Sequence, residues 1–401
     1  MKIYNSLGRK VEKFVSRSPK AVKMYTCGPT VYARPHIGNF RTSVFEDALK
    51  RYLKYQGYRV RHVMNVTDID EAVAKEVRKT HAMRPALTKK YEMLFRKDAA
   101  LLGIMPAGKY PHVSRYVGKM ASTAVWLERL GVAYRDEKCR MFFDISKFAS
   151  YGKLAGKKIR SQRKVMREEY KPFQAGDFLL LSKCREKKCE KCFETSMGMC
   201  RPAWNVQCAT MARAELGDSI DISMGGQDNL FNHHENTRAI ANAMCKHEFS
   251  KYYVHVRHLI VDGKKMSKSK GNVVLLPDLL SRGFSAREAR MILLSVHYRK
   301  RLDFTWQYAK RVKMRWLGIR KAANALKGAR GEGQDGFAQF SADAQADFEA
   351  SLDDNMDIPS ALSVAEKFAR ECAGAGLSKK QAAAALALLK KFDSVLGCLP
   401  I

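Results

Sequence analysis

The stretch from Tyr25 to Arg41, YTCGPTVYARPHIGNFR, constrains this chain more than any other part of it. It places a cysteine, a Gly-Pro turn, a single histidine and the opening of a helix in immediate succession. From Asn39 onward Val44, Phe45, Ala48, Leu49, Tyr52 and Leu53 recur at helical spacing, and Gly57 supplies a stop. The run Ala21 to Tyr25 ahead of it reads as a short strand. His36 is therefore expected on a strand-to-helix turn whose helix start offers free backbone N–H groups, a natural site for phosphate. Taken alone, the turn also fits a purely structural histidine.

Around that turn the patterns alternate between strand and helix. Residues 1–115 read as the first half of a doubly wound, Rossmann-like parallel sheet of the α/β class, with a strand from Tyr58 to Val66 that empties into Thr67, Asp68, Ile69 and Asp70. Polar residues at the carboxyl end of such a strand lie where open α/β sheets bind ligands. Residues 116–200 are less regular and read as an insertion carrying the basic run Lys153, Lys157, Lys158, Arg160, Arg163, Lys164 and Arg167. Alternation resumes over 201–262, with a helix expected near Asn232. Residues 263–305 hold a lysine-rich loop, and 306–401 read as an α-helical C-terminal domain. Its first helix, Trp306 to Lys327, is basic with interleaved aromatics. Ser378 and Gln381 form a capping box before the last helix.

Composition narrows the partner. The chain has 401 residues, with 73 Lys and Arg against 40 Asp and Glu, a formal charge of +33. That excess favours a polyanion, nucleic acid before membrane. No apolar run is long enough to cross a bilayer and the N-terminus lacks a signal-peptide core, so a cytoplasmic protein is expected. Ten cysteines in such a chain read as reduced thiols or metal ligands, not a disulfide framework.

In a doubly wound sheet, Cys27 ends a strand of the first half, Cys208 follows one in the second and His233 begins a helix, so all three can converge at the switch point. Thiolate with imidazole is the donor set zinc prefers, and three protein ligands with an open position is the pattern of a working site. A second group, Cys184, Cys189, Cys192 and Cys200, has four, two and seven residues between its members. It could hold a structural zinc in the insertion.

Far along the chain, Lys265 to Ser269 reads KMSKS. Together with His36-Ile37-Gly38-Asn39 it resembles the paired HIGH and KMSKS signatures of class I aminoacyl-tRNA synthetases. The ordered motifs YTCGPTVY, NVTDID, RPAWNVQC, DNLFNHHEN and KMSKS, with LDDNMDIPSAL near the end, resemble cysteinyl-tRNA synthetase over nearly the whole chain. The resemblance implies ATP-dependent activation of L-cysteine, with Mg2+, and its transfer to the 3'-terminal adenosine of tRNA(Cys). It implies Cys27, Cys208 and His233 as ligands of a zinc that binds the substrate thiolate, and Thr67, Trp204 and Asp228 around the amino acid. His36, Gly38, Asn39, Lys265, Ser267 and Lys268 would bind ATP, with His36, Asn39, Lys265 and Lys268 catalytic. A monomer is expected.

The chain departs from the family where Thr237 replaces the usual fourth ligand, a Glu, one helical turn after His233. Substrate sulfur as fourth ligand is the preferred expectation, with His234 or Glu235 as substitutes and loss of zinc as further alternatives. Asn205, Ser223, Met224 and Asn232 also differ from the family pattern. The small C-terminal anticodon-reading unit of longer relatives is expected to be missing. Two rival functions remain: a cysteine ligase acting on a small-molecule amine, and a catalytically impaired tRNA-binding paralogue.

Overall fold

The computed structural model describes residues 1–156, 176–184, 192–267 and 271–401. The basic run from Lys157 to Arg167, Cys189 and Lys268 lie outside the described residues.

A hairpin of β1 (Lys2–Asn5) and β2 (Lys10–Lys13) leads into β3 (Ala21–Thr26), helix α1 (Ile37–Tyr55) and β4 (Arg59–Met64). Helices α2 (Glu71–Thr80) and α3 (Arg84–Leu101) follow. The insertion comprises α4 (Val117–Arg129) and strands β5 (Ala133–Arg135), β6 (Met141–Phe143), β7 (Phe178–Lys183), β8 (Phe193–Thr195) and β9 (Gly198–Pro202). These strands form one antiparallel sheet in the order β5-β6-β7-β9-β8, more regular than the sequence suggested. Then come α5 (Trp204–Leu216), β10 (Ile220–Gly226), α6 (Glu235–Cys245) and β11 (Ser250–Val256).

The central sheet is parallel, in the order β11-β10-β3-β4. The chain winds outward from β3 to β4, crosses the insertion, and restarts at β10 to wind the other way. The switch point lies between β3 and β10, where ligands bind beyond the carboxyl ends of the strands. Helix α1 forms because Phe40, Val44, Ala48 and Leu49 make one apolar face, and it buries that face with Met24, Ile222, Met224 and Val254. On the opposite side of the sheet α5 and α6 bury Val206, Ala209, Ala239 and Ile240 with Tyr25, Val63 and Ile220.

Beyond the sheet, β12 (Leu259–Val261) pairs with β13 (Lys264–Lys265) and β14 (Leu302–Phe304), with α7 (Leu276–Ser281) and α8 (Ala286–Leu294) between them in sequence. Helices α9 (Trp306–Lys327), α10 (Phe337–Asp353), α11 (Ile358–Gly374) and α12 (Lys379–Leu396) close the chain. They are tied to α1 through Arg290, whose guanidinium lies 2.6 Å from Asp47 and donates to the Leu396 carbonyl at 2.6 Å. Both members of that ion pair are fully buried. No described helix is long and apolar enough to cross a membrane.

Three sequence expectations need correction. Cys208 does not follow a strand of the parallel sheet; it sits inside α5, ahead of β10, on a helix buried without a break from Asn205 to Ala212. His233 does not begin a helix but lies in a π-helical turn, Leu230–His234, that precedes α6. Cys184 and Cys192 are joined as a disulfide, brought together where β7 and β8 flank β9, so neither offers a thiolate to a structural metal. Cys200, the buried neighbour on β9, keeps a free thiol.

Candidate active site

Strand β3 delivers Cys27 to the switch point, where its N–H donates to the Met224 carbonyl of β10 at 3.1 Å. Gly28 follows because a side chain there would strike the Asn65 backbone, whose carbonyl oxygen lies 1.7 Å from the place a Cβ would occupy. Cys27 Sγ is 3.8 Å from Cys208 Sγ, and His233 Nε2 is 3.2 Å from Cys208 Sγ. The three donor atoms lie within 4.8 Å of one another, and among the described residues they are the only such group. A tetrahedral ion about 2.3 Å from each sulfur sets an S···S edge of about 3.8 Å. The donor set and its spacing thus fit a metal.

The thiols are electrically unequal. The hydrogen bond from Cys27 holds the Cys208 thiol well below its ordinary value, and His233 adds to the effect. The same bond, with burial, pushes the Cys27 thiol up. The Trp204 ring stacks on the His233 imidazole with centroids 3.9 Å apart and planes within 7°. That contact fixes the ring orientation.

Sequence reasoning named His234 only as a substitute metal ligand and missed His255, Ser6 and Asn65 behind it. His234 Nε2 lies 3.0 Å from Cys27 Sγ, His234 Nδ1 lies 2.8 Å from His255 Nε2, and His255 Nδ1 lies 2.8 Å from Ser6 Oγ. Burial lowers the pKa of His234 well below its ordinary value and that of His255 to about 3, so both rings are neutral at ordinary pH. Asn65 is a second hub: its Oδ1 accepts from Tyr25 at 3.2 Å and from the Gly28 N–H at 3.0 Å, while its Nδ2 donates to Thr67 Oγ1 at 3.0 Å. The repeated His-His and the Asn opening NVTDID were the only local signals for them. Of the proposed substitutes for Thr237, Glu235 is committed elsewhere, accepting from Ala155 N at 2.8 Å and pairing with Arg238 at 3.2 Å. Asp228 sits exposed on the turn Gln227–Asn229 that follows β10.

Across the crevice, His36 caps α1. Its Nδ1 accepts from the Asn39 N–H at 3.2 Å and its own N–H donates to Asn39 Oδ1 at 3.0 Å, a reciprocal cap that holds the turn open-ended toward solvent. Met266 of the lysine-rich loop presses on Gly38, where a Cβ would meet its Cε at 2.6 Å. Ile37 N donates to the Val274 carbonyl at 3.0 Å, and Asn272 braces the loop by accepting from Ser267 N at 2.9 Å and donating to the Lys265 carbonyl at 3.2 Å. Lys265 is exposed beside this helix start. The structure therefore brings Cys27, Cys208 and His233 together, adds Trp204 and Thr67 through direct partners, and sets His36, Gly38 and Asn39 against the loop of Lys265 and Ser267.

A parallel sheet with this switch point, a histidine-capped helix start and a lysine-rich loop braced against it defines the catalytic domain of a class I aminoacyl-tRNA synthetase. Residues 13–314 match the family described as tRNA synthetases class I (C) catalytic domain. The chain is 37% identical over 416 residues to the cysteine–tRNA ligase of Chlamydia caviae, covering 99% of this chain and 86% of that one. Against the cysteine–tRNA ligase of Protochlamydia amoebophila it is 34% identical over 410 residues, covering 100% and 86%. Among solved structures, Mycobacterium tuberculosis methionyl-tRNA synthetase in complex with methionyl-adenylate superposes with a TM-score of 0.66 at 16% identity, covering 94% of this chain and 92% of that one. The Agrobacterium radiobacter K84 LeuRS complex gives 0.70 at 12% identity, covering 96% and 85%. These two share the fold. The chain belongs to the cysteine–tRNA ligase family.

Proposed function

We propose that the crevice activates L-cysteine with ATP and passes it to the 3'-terminal adenosine of tRNA(Cys), with Cys27, Cys208 and His233 holding a zinc ion at its floor. The observation that carries this reading is the convergence of those three donors beside a helix start built for phosphate. Zinc, when bound, would take the substrate thiolate as a ligand and refuse the harder, far less acidic hydroxyl of serine. Buried Thr67 and half-buried Trp204 shape a small pocket, and exposed Asp228 is suited to the substrate ammonium.

The cysteine carboxylate attacks the α-phosphorus of ATP and pyrophosphate leaves. The residues serving that step need only position and neutralise charge. The N–H groups at the start of α1, with His36, Gly38 and Asn39, receive phosphate oxygens, and Lys265, Ser267 and Lys268 follow the charge with Mg2+. A ribose hydroxyl of the tRNA then attacks the mixed anhydride and AMP leaves. In this reading residues 1–115 and 201–262 form the catalytic sheet, 116–200 the insertion and 263–305 the loop region. The basic helices of 306–401 face the tRNA, and the protein works as a cytoplasmic monomer.

The test is zinc content together with cysteine-dependent ATP–pyrophosphate exchange, with serine as the competing amino acid. One bound zinc and exchange with cysteine alone are expected. Active protein without zinc, or equal exchange with serine, would remove the thiolate-recognition mechanism.

A further inference from the structure

We infer that Thr237 is a positioning residue for the metal ligand His233, its hydroxyl accepting the Nδ1–H of the imidazole in the metal-loaded protein. The inference rests on the metal reading above. His233 Nε2 faces Cys208 Sγ at 3.2 Å, so Nε2 is the atom turned to the metal and Nδ1 carries the proton. Liganding histidines donate that other N–H to a partner, which fixes the tautomer and ring angle. Here Nδ1 is buried and, among the described residues, has no hydrogen-bond partner. His233 is 1% exposed and lies flat against Trp204, so Nδ1 is shut off from solvent.

One helical turn further on, Thr237 Oγ1 is also buried without a partner among the described residues. The π-helical turn of His233 runs straight into α6 through His234, which has helical backbone angles, and helical side chains lean toward the N-terminus, so the Thr237 hydroxyl leans back toward the turn that carries His233. The structure thus holds a buried donor and a buried acceptor four positions apart, neither with a partner among the described residues and not bonded to each other, and one hydrogen bond formed when the metal is loaded would satisfy both.

The other polar side chains between them are engaged. His234 contacts Cys27 and His255, Glu235 pairs with Arg238 and Ala155, and Asn236 accepts from Tyr151. Asn232 Oδ1, in the same turn as His233, is likewise unpartnered among the described residues and is the rival acceptor that the experiment must separate from Thr237. The chain therefore uses this position to orient a ligand through its outer nitrogen, which leaves the coordination sphere at three protein donors.

The experiment measures zinc affinity of the full chain by competition with a chromophoric chelator, for wild type, Thr237→Val, Thr237→Ser and Asn232→Ala. Valine keeps the shape and removes the hydroxyl, whereas serine keeps the hydroxyl and removes the methyl. Thr237→Val should bind zinc about 10- to 100-fold more weakly, the usual cost of losing an outer partner. Thr237→Ser should stay within about 3-fold of wild type, because the accepting oxygen that sets ligand orientation is retained. Unchanged affinity in Thr237→Val overturns the inference, as does a serine variant as weak as valine, or a loss carried by Asn232→Ala instead. Should the valine variant fold poorly, the serine variant and a slowly exchanging imidazole N–H resonance of His233 in zinc-loaded wild type decide the matter. That resonance is expected, and its absence overturns the inference. Wild type without zinc removes the metal reading itself, a separable failure.

Discussion

The two ends of the crevice are built on opposite plans. At the metal end, Cys208 and His233 are each 1% exposed, braced by a stacked indole and a chain of neutral histidines. At the nucleotide end, Asn39 and Lys265 are exposed and His36 is half-buried. A site that separates a thiol from a hydroxyl of similar size needs donors that are desolvated and already oriented, since shape alone discriminates weakly. A site that meets a triphosphate already has its shape supplied by helix N–H groups and needs charges able to follow the reaction.

The comparison breaks most sharply if both ends respond alike to substitution. Cys208→Ala should abolish metal binding and lower cysteine-dependent pyrophosphate exchange by about 1,000-fold or more, because two remaining donors make no site. Atomic absorption beside exchange kinetics measures both. Lys265→Ala should lower exchange by about 100- to 1,000-fold, the scale of losing one group that stabilises transition-state charge, while metal content stays at the wild-type value. A Lys265 variant that lost its metal would show that the two ends are not independent.

On the buried face of α1 lies Glu46, 1% exposed, with neither carboxylate oxygen partnered among the described residues. Burial pushes its pKa up to about 8. The folded state therefore favours the neutral acid, and the stability from that preference is full below pH 4.5 and falls as pH rises toward 8. Glu46→Gln should gain on wild type by about 3–4 kcal/mol between pH 5 and pH 8, read from urea unfolding at each pH. Equal pH profiles would mean that Glu46 finds a partner.

His255 gives the converse slope. Its folded pKa of about 3 lies below its ordinary value of 6.5, so the stability it contributes is full above pH 6.5 and is lost as pH falls toward 3. Replacement by Gln should flatten the acid limb of the stability curve by about 1–2 kcal/mol between pH 6.5 and pH 5. The smallest effect is expected at Gly38, where Ala pushes Met266, the end of a flexible side chain, and should raise the ATP KM by a few-fold with little change in stability.

Much of this was legible in the chain. The strand at Ala21, the capping box at Ser378 and the helix read from Asn39 to the stop at Gly57, which starts two residues earlier at Ile37, were legible because capping residues and helical period act over a few positions. The insertion sheet was not legible, since its short strands are stabilised by partners distant in sequence, such as Leu181 with Pro202. Nor was the placing of Cys208 on a helix, where burial on several faces hides the period. The histidine chain behind Cys27 escaped notice because Ser6 and His255 are 249 positions apart.

By itself the sequence determined the local devices: a histidine cap with its phosphate-ready helix start, a braced lysine loop and a supply of thiols and imidazoles. Those depend on hydrogen bonds and backbone preferences among near neighbours. Only the tertiary structure decided which thiol meets which imidazole. Cys27 and Cys208 stand 181 positions apart and come within 3.8 Å because two halves of one parallel sheet meet at β3 and β10. In the insertion, the antiparallel pairing of β7 and β8 with β9 gave Cys184 to Cys192 instead of a metal. Pairings of that kind follow from burial and sheet register, which no local stretch encodes.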